Sequence, residues 1–191
     1  FENSELAASG LPGSDELNIL EPLRAQLDPK VFNSAFEVPR SDASGIIREQ
    51  QRRAYQLLQE AGWKIVDDKM VDADGKPVSL EFLLAQTDFE RVLLPYKRNL
   101  ADLGIELVIR RVDVSQYINR LRSRDFDMIV GGFGQSSSPG NEQREYWHSA
   151  SADNPGSRNF IGLKDPAVDS LVEGMINADS RQSLVADTRA L

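Results

Sequence analysis

Two apolar runs, Ile105–Val112 (IELVIRRV) and Phe126–Phe133 (FDMIVGGF), flank a stretch that reads as a helix from about Ser115 to Arg124. Strands joined by a helix rather than a tight turn return in the same direction, so this spacing predicts a parallel pair with a crossover helix. The same alternation runs upstream. Ile47, Tyr55, Leu57, Leu58 and Ala61 fall at helical spacing and are closed by Gly62, a C-cap glycine. The extended runs KIVDDKMV and PVSLEFLLA are joined through Asp72-Ala73-Asp74-Gly75, and Asp-Gly between apolar stretches predicts a hairpin there. A further helix is expected over Phe89–Leu103, despite Pro95, ending at Gly104. The fold class is therefore α/β, a small mixed sheet with crossover helices.

Beyond the second strand, helices are expected near Asn141–His148 and Pro166–Ala178, with a last one from Arg181 that places Leu184, Val185, Thr188 and Leu191 on one face. Residues 1–46 are rich in Gly and Pro and hold one short helix from Asp15 to about Leu27, capped by Ser14. The expected organisation is a wrapping segment over 1–46 and an α/β lobe over 47–191. Phe1-Glu2-Asn3-Ser4-Glu5 has neither the basic nor the apolar region of a signal peptide, and the last helix stops without a cap, so the chain is expected to be a piece of a longer one, truncated at its C-terminal end.

Charge and composition narrow the function classes. With 22 Lys and Arg against 30 Asp and Glu, a formal charge of −8 opposes binding to nucleic acid or anionic lipid, so neither is expected as a partner. The chain has no cysteine, which removes disulfides, thiolate nucleophiles and Cys-ligated metals. No metal and no cofactor is expected. Met70, Asp72, Asp74, Gly75 and Glu81 match a calcium loop in spacing, but Met70 stands where an oxygen ligand is required and Pro77 lies inside the loop. Gly132-Phe133-Gly134 lacks the third glycine of a dinucleotide fingerprint, Ser137 standing in its place, and Gly134-Gln135-Ser136-Ser137-Ser138 fails the nucleophile-elbow pattern at its last position. His148, the one histidine, follows Trp147 at a helix end, where a solvated or capping role is expected. Asp125 and Asp127 read as surface carboxylates, and Arg110, Arg111, Arg120, Arg122 and Arg124 as an ion-paired surface. No catalytic residue is assigned; the rival reading is a small α/β hydrolase or transferase using Ser136 or His148. A loop leaving the carboxyl end of a strand, with glycines for close approach and Gln, Asn, Arg, Tyr and Trp for bonding and stacking, reads as a ligand-gripping loop.

Ala54–Trp63 (AYQLLQEAGW), Asp72–Pro77 (DADGKP), Leu100–Leu107 (LADLGIEL), Asp125–Met128 (DFDM) and Lys164–Asp169 (KDPAVD), in this order and spacing, resemble the family 5 extracellular solute-binding proteins of ABC transporters. Phe1–Ala7 and Ser138–Trp147 are most similar to the branch that binds oligopeptides and the peptide-nucleotide antibiotic microcin C. The resemblance implies an exported periplasmic receptor, lipid-free or lipid-anchored, whose two lobes close on a peptide and deliver it to permease subunits in the inner membrane. This chain would be the second lobe only, a monomer and not an enzyme. It also implies that Gly132, Phe133 and Gly134 offer main-chain groups and an aromatic ring to the ligand. Gln135, Ser136, Asn141, Arg144, Arg158 and Asn159 join the expected site by their loop positions, Arg158 either meeting a ligand carboxylate or pairing with Asp153 or Asp165.

Overall fold

The computed structural model describes residues 1, 3–40 and 44–191. Glu2, part of the amino-terminal motif, and residues 41–43, part of the expected wrapping segment, lie outside the described residues. The chain forms two compact units, one of residues 38–121 and 125–131, the other of residues 1–37, 122–124 and 132–191. This grouping differs from the expected division at residue 46.

In the first unit a 13-residue helix, α3 (Arg48–Glu60), ends in a Schellman turn. Gly62 takes φ +90°, its N–H reaches the Gln59 carbonyl and the Trp63 N–H reaches the Leu58 carbonyl. Strands β1 (Lys64–Val66) and β2 (Lys69–Val71) then pair antiparallel across Asp67 and Asp68, both at positive φ, as a two-residue hairpin turn of the primed type demands. The hairpin thus sits one turn earlier than expected. At Asp72–Gly75 the chain does reverse, with the Asp72 carboxylate accepting the N–H groups of Asp74 and Lys76, but antiparallel pairing stops at the single bridge Val71–Pro77. Proline has no N–H to extend a ladder, and strand β3 (Ser79–Leu84) pairs elsewhere.

That partner is β4 (Glu106–Arg111), parallel to β3 in register from Ser79 opposite Glu106 to Leu84 opposite Arg111. The crossover helix α4 (Glu90–Ala101) buries Leu93 and Leu100 on a core made with Met70, Phe82, Leu84, Ile105 and Leu107. Gly104, at φ +75°, closes α4 in the same way that Gly62 closes α3: its N–H reaches Ala101 and the Ile105 N–H reaches Leu100. The expected strand FDMIVGGF survives only at Met128, a one-residue parallel bridge to Phe82. Past it, Gly131, Gly132 and Gly134 have no side chains to pack and the most backbone entropy to lose, which favours open chain over strand. The Glu81 carboxylate at the strand centre takes Arg110 (3.1 Å) and Arg120 (2.6 Å), and Arg120 also holds Asp125 (2.8 Å). Much of the arginine cluster is therefore ion-paired, and Asp127 accepts the Glu81 N–H.

The second unit is helical. Helix α1 (Ser14–Leu20) starts at Gly13, whose N–H is accepted by the Glu16 carboxylate, so Ser14 lies inside the first turn instead of capping it. The regular helix stops at Leu20 and tightens into a 3-10 turn over Glu21–Leu23, because Pro22 cannot supply an α-helical N–H. A further short helix, α2 (Lys30–Asn33), follows. Helix α5 (Val114–Ser123) belongs to the first unit up to Leu121, and only its end, with Arg124, groups with this one. Helices α6 (Glu142–Trp147), α7 (Pro166–Ile176) and α8 (Arg181–Ala190) complete it. Asp165 caps α7 ahead of Pro166, and Ser180 caps α8. Helix α1 packs on α8, Arg181 and Arg189 of α8 bond Glu5, and Gln182 bonds Asp15. These contacts are why the amino-terminal segment belongs with the C-terminal helices.

Candidate functional site

Gly132–Ser136, the first part of the stretch Gly131–Trp147 that is expected to grip a ligand, lies in this helical unit, and α6 organises it. Gln143, Tyr146 and Trp147 lie three and four residues apart, on one face of α6. Phe133 packs against Tyr146 edge-on, with ring centroids 5.3 Å apart, against Trp147 at 4.5 Å and against Phe160 at 5.8 Å. The Tyr146 hydroxyl donates to the Gly134 carbonyl at 3.2 Å. Arg158 stacks its guanidinium over the Tyr146 ring, donates to the Tyr146 hydroxyl at 3.1 Å and donates to the Gly132 carbonyl at 2.6 Å. The side-chain amides of Gln135 and Gln143 bond each other, and the Trp147 indole N–H donates to Gln143.

Gly132, Phe133, Gly134, Gln135 and Arg158 are thus brought together. Ser136 stays beside them, its hydroxyl accepting the Ser138 N–H. The other three expected residues are used differently. Arg144 forms a bidentate pair with Glu173 of α7, at 2.5 and 2.6 Å, and also donates to Asn141, so both side chains are tied into a polar contact between α6 and α7. The Arg144 guanidinium holds the Glu173 carboxyl below its ordinary range. Asn159 is fully buried (0% exposed) and cannot reach a ligand. Its side chain donates to the Leu163 carbonyl and accepts the Leu163 N–H, bracing the turn that follows, which corrects the expectation of a cleft contact. Neither ion pair anticipated for Arg158 forms: Lys164 takes Asp153, and Asp165 caps α7.

Gln143 and Tyr146 fall within the stretch whose Gln and Tyr side chains are expected to bond and stack, but neither is among the individually named site residues, and the structure gives both a central place. A glutamine in the apolar stripe of a helix was the available signal, since such a position is buried and its amide must find partners. Ser136 and His148 are each engaged locally, the Nδ1 of His148 accepting the Ala150 N–H, and no hydrogen bond joins them. Among the described residues no group of His, Cys, Asp or Glu side chains is placed to hold a metal ion, and no helix is long and apolar enough to cross a membrane.

What the loop offers is main chain and an aromatic face. The N–H groups of Gly132–Ser137 and the carbonyls of Phe133, Gln135 and Ser136 have no hydrogen-bond partner among the described residues. The polar tips of Tyr146 and Trp147 are already consumed inside the protein. Such a surface can bond another backbone without reading its side chains.

Residues 24–155 match the family described as bacterial extracellular solute-binding proteins, family 5, middle. The chain belongs to that family. Along its whole length it is 45% identical to a protein of Agrobacterium fabrum named "Probable peptide-binding protein YejA", of which it spans 31%. It is 34% identical, again along its whole length, to the "Peptidoglycan-binding protein YepA" of the same organism, spanning 31% of that protein. Among solved structures, the oligopeptide-binding protein AppA of Bacillus subtilis, in complex with a nonapeptide, superposes with a TM-score of 0.64 at 22% identity, over 92% of this chain and 36% of AppA. The chain thus spans about three-tenths of the length of the curated relatives it matches, and AppA shares its fold. These family 5 relatives are solute-binding proteins rather than enzymes.

Proposed function

We propose that this family 5 chain is part of the substrate-binding component of an ABC importer and that it grips peptides with the loop Gly132–Ser136. The observation that carries the reading is the run of unpaired main-chain groups beside the Phe133 face. Peptides of varied sequence share one backbone, so affinity drawn from main-chain hydrogen bonds and an apolar ring tolerates different side chains. In this reading Gly132, Phe133, Gly134, Gln135 and Ser136 form the contact surface. Arg158 keeps guanidinium N–H groups for a ligand carboxylate while it anchors Gly132 and Tyr146. Asn141 and Arg144 support α6 from behind. The names of the relatives agree with a peptide, free or derived from peptidoglycan, as the ligand class.

The whole protein would act in the periplasm, closing on its ligand and passing it to inner-membrane permease subunits as a monomer. Acceptance of microcin C, a peptide joined to a nucleotide, is the finer part of the proposal and rests on the resemblance of Phe1–Ala7 and Ser138–Trp147. The test is to purify the intact protein from osmotic-shock fluid and identify co-purifying and added ligands by native mass spectrometry, with peptides and the peptide–nucleotide conjugate in separate arms. Peptide adducts at low-micromolar concentration are expected. A cytoplasmic protein that retains no peptide would overturn the proposal.

A further inference from the structure

We infer that Gln143 is the positioning residue of the ligand loop, holding it in a binding-ready conformation before any ligand arrives. This rests on the proposed site but on a separate observation. Gln143 is fully buried (0% exposed), although a buried amide is costly unless its donors and acceptor are used. All are used. The Nε2 donates to Gln135 Oε1 at 2.6 Å and to Glu142 Oε1 at 3.1 Å. The Oε1 accepts the Trp147 indole N–H at 3.1 Å and the Gln135 amide at 3.5 Å.

Two of those partners define the loop. Gln135 is one of its residues, and Trp147 is the ring that Phe133 stacks on at 4.5 Å. One side chain therefore fixes the loop at two points, Gln135 directly and Phe133 through Trp147, in addition to the bonds that Arg158 and Tyr146 make to the Gly132 and Gly134 carbonyls. The need for such a fixture follows from the glycines: Gly132 and Gly134 leave this backbone with the greatest conformational freedom to lose on binding. Freezing it beforehand moves that loss from binding to folding, which raises affinity without adding a ligand contact. The same bonds consume the indole N–H, so Trp147 presents no donor to a ligand side chain, and recognition stays with the backbone.

The experiment uses the intact protein, ligand-free, labelled with ¹⁵N at glycine and tryptophan. Gln143→Met keeps the volume and removes every bond; Gln143→Glu keeps acceptors for Trp147 and Gln135 but loses the donors to Gln135 and Glu142 and sets a second carboxylate beside Glu142. Backbone order parameters at Gly132 and Gly134 are expected to fall from about 0.85 to below about 0.6 in Gln143→Met, with faster solvent exchange of the Trp147 indole N–H. Gln143→Glu should loosen the loop at least as much at neutral pH, because its buried carboxylate faces that of Glu142. In a second arm, affinity for a pool of tetrapeptides should weaken about tenfold in Gln143→Met, the worth of roughly one net hydrogen bond, while Gly174 of α7 keeps its wild-type order parameter. Unchanged order parameters at Gly132 and Gly134 in both variants overturn the inference. So does equal loosening of Gly174, which would make Gln143 a general packing residue. If the wild-type protein binds no peptide yet the loop loosens as described, the proposed ligand falls and the role of Gln143 in ordering the loop stands.

Discussion

Gly62 and Gly104 offer a controlled pair, because both close a helix with the same hydrogen bonds at positive φ but stand in different surroundings. A Cβ added at Gly62 meets nothing within 4 Å. At Gly104 it would stand 2.6 Å from the Met70 backbone nitrogen and 3.0 Å from the Asp68 carbonyl oxygen, both held in the β1–β2 hairpin. Alanine at either site carries the left-handed penalty of about 1–2 kcal/mol, partly offset by about 0.4–1 kcal/mol from a stiffer unfolded chain. Gly62→Ala should therefore cost about 1 kcal/mol. Gly104→Ala adds overpacking of about 1–3 kcal/mol and strains the bond from the Met70 N–H to the Gly104 carbonyl (2.8 Å), worth about 1 kcal/mol. Its total is about 3–5 kcal/mol.

The assay is urea unfolding followed by the fluorescence of Trp63, which packs on the core of that unit, in a Trp147→Phe background. With a slope of about 2 kcal/mol per molar urea, the midpoint should fall by about 0.5 M for Gly62→Ala and by about 1.5–2.5 M for Gly104→Ala. Equal shifts would refute the reasoning, since they would mean that the hairpin yields to the methyl group without loss.

Four further outcomes follow from the same structure. Leu107→Ala, at a position 1% exposed in the core beneath α4, should cost about 3 kcal/mol in the same unfolding assay. Asp165→Ala removes the acceptor of the Ala167 and Val168 N–H groups and should cost about 1 kcal/mol, while Asp165→Asn should cost less. Bonds from Arg144 hold Glu173 below its ordinary 4.5, and bonds from Arg120 and Arg110 outweigh burial to do the same for Glu81. In that window the folded state binds fewer protons than the unfolded one, so this stability is present above about pH 4.5 and lost as pH falls through the folded values. Titrating urea midpoints downward should show a shallower acid loss in Arg144→Met. Burial raises Asp187 above its ordinary 3.8, so the folded state there binds more protons and stability falls as pH rises past that value; Asp187→Asn should raise the midpoint at neutral pH.

The periodic and capping signals were readable in the chain. Helices α3 and α4, their closing glycines, strand β4 and helix α7 lie where apolar spacing and Gly or Pro punctuation put them. What escaped was set by competition between distant segments. β3 reads as half of a hairpin until β4 takes its edge, and the true hairpin turns on Asp67-Asp68, a pair without the usual glycine. FDMIVGGF has the hydrophobicity of a strand in its first half and the backbone freedom of a loop in its second, and the glycines decide the outcome. In the candidate site the loop was visible from its composition. The Arg144–Glu173 pair joins residues 29 apart in sequence, to which a periodicity is blind, whereas Asn159 and Gln143 bond partners close by in sequence and were hidden because a polar side chain in a loop or short helix reads as exposed.

The most direct test of the account is hydrogen exchange across Gly132–Ser137 in the intact protein, with and without a saturating pool of tetrapeptides. These N–H groups are unpaired among the described residues, so without ligand they should exchange at nearly the free-chain rate. The account predicts slowing of about tenfold or more in at least two of them when peptide is bound. Peptide binding that leaves all six at their ligand-free rates would show that the ligand is held elsewhere.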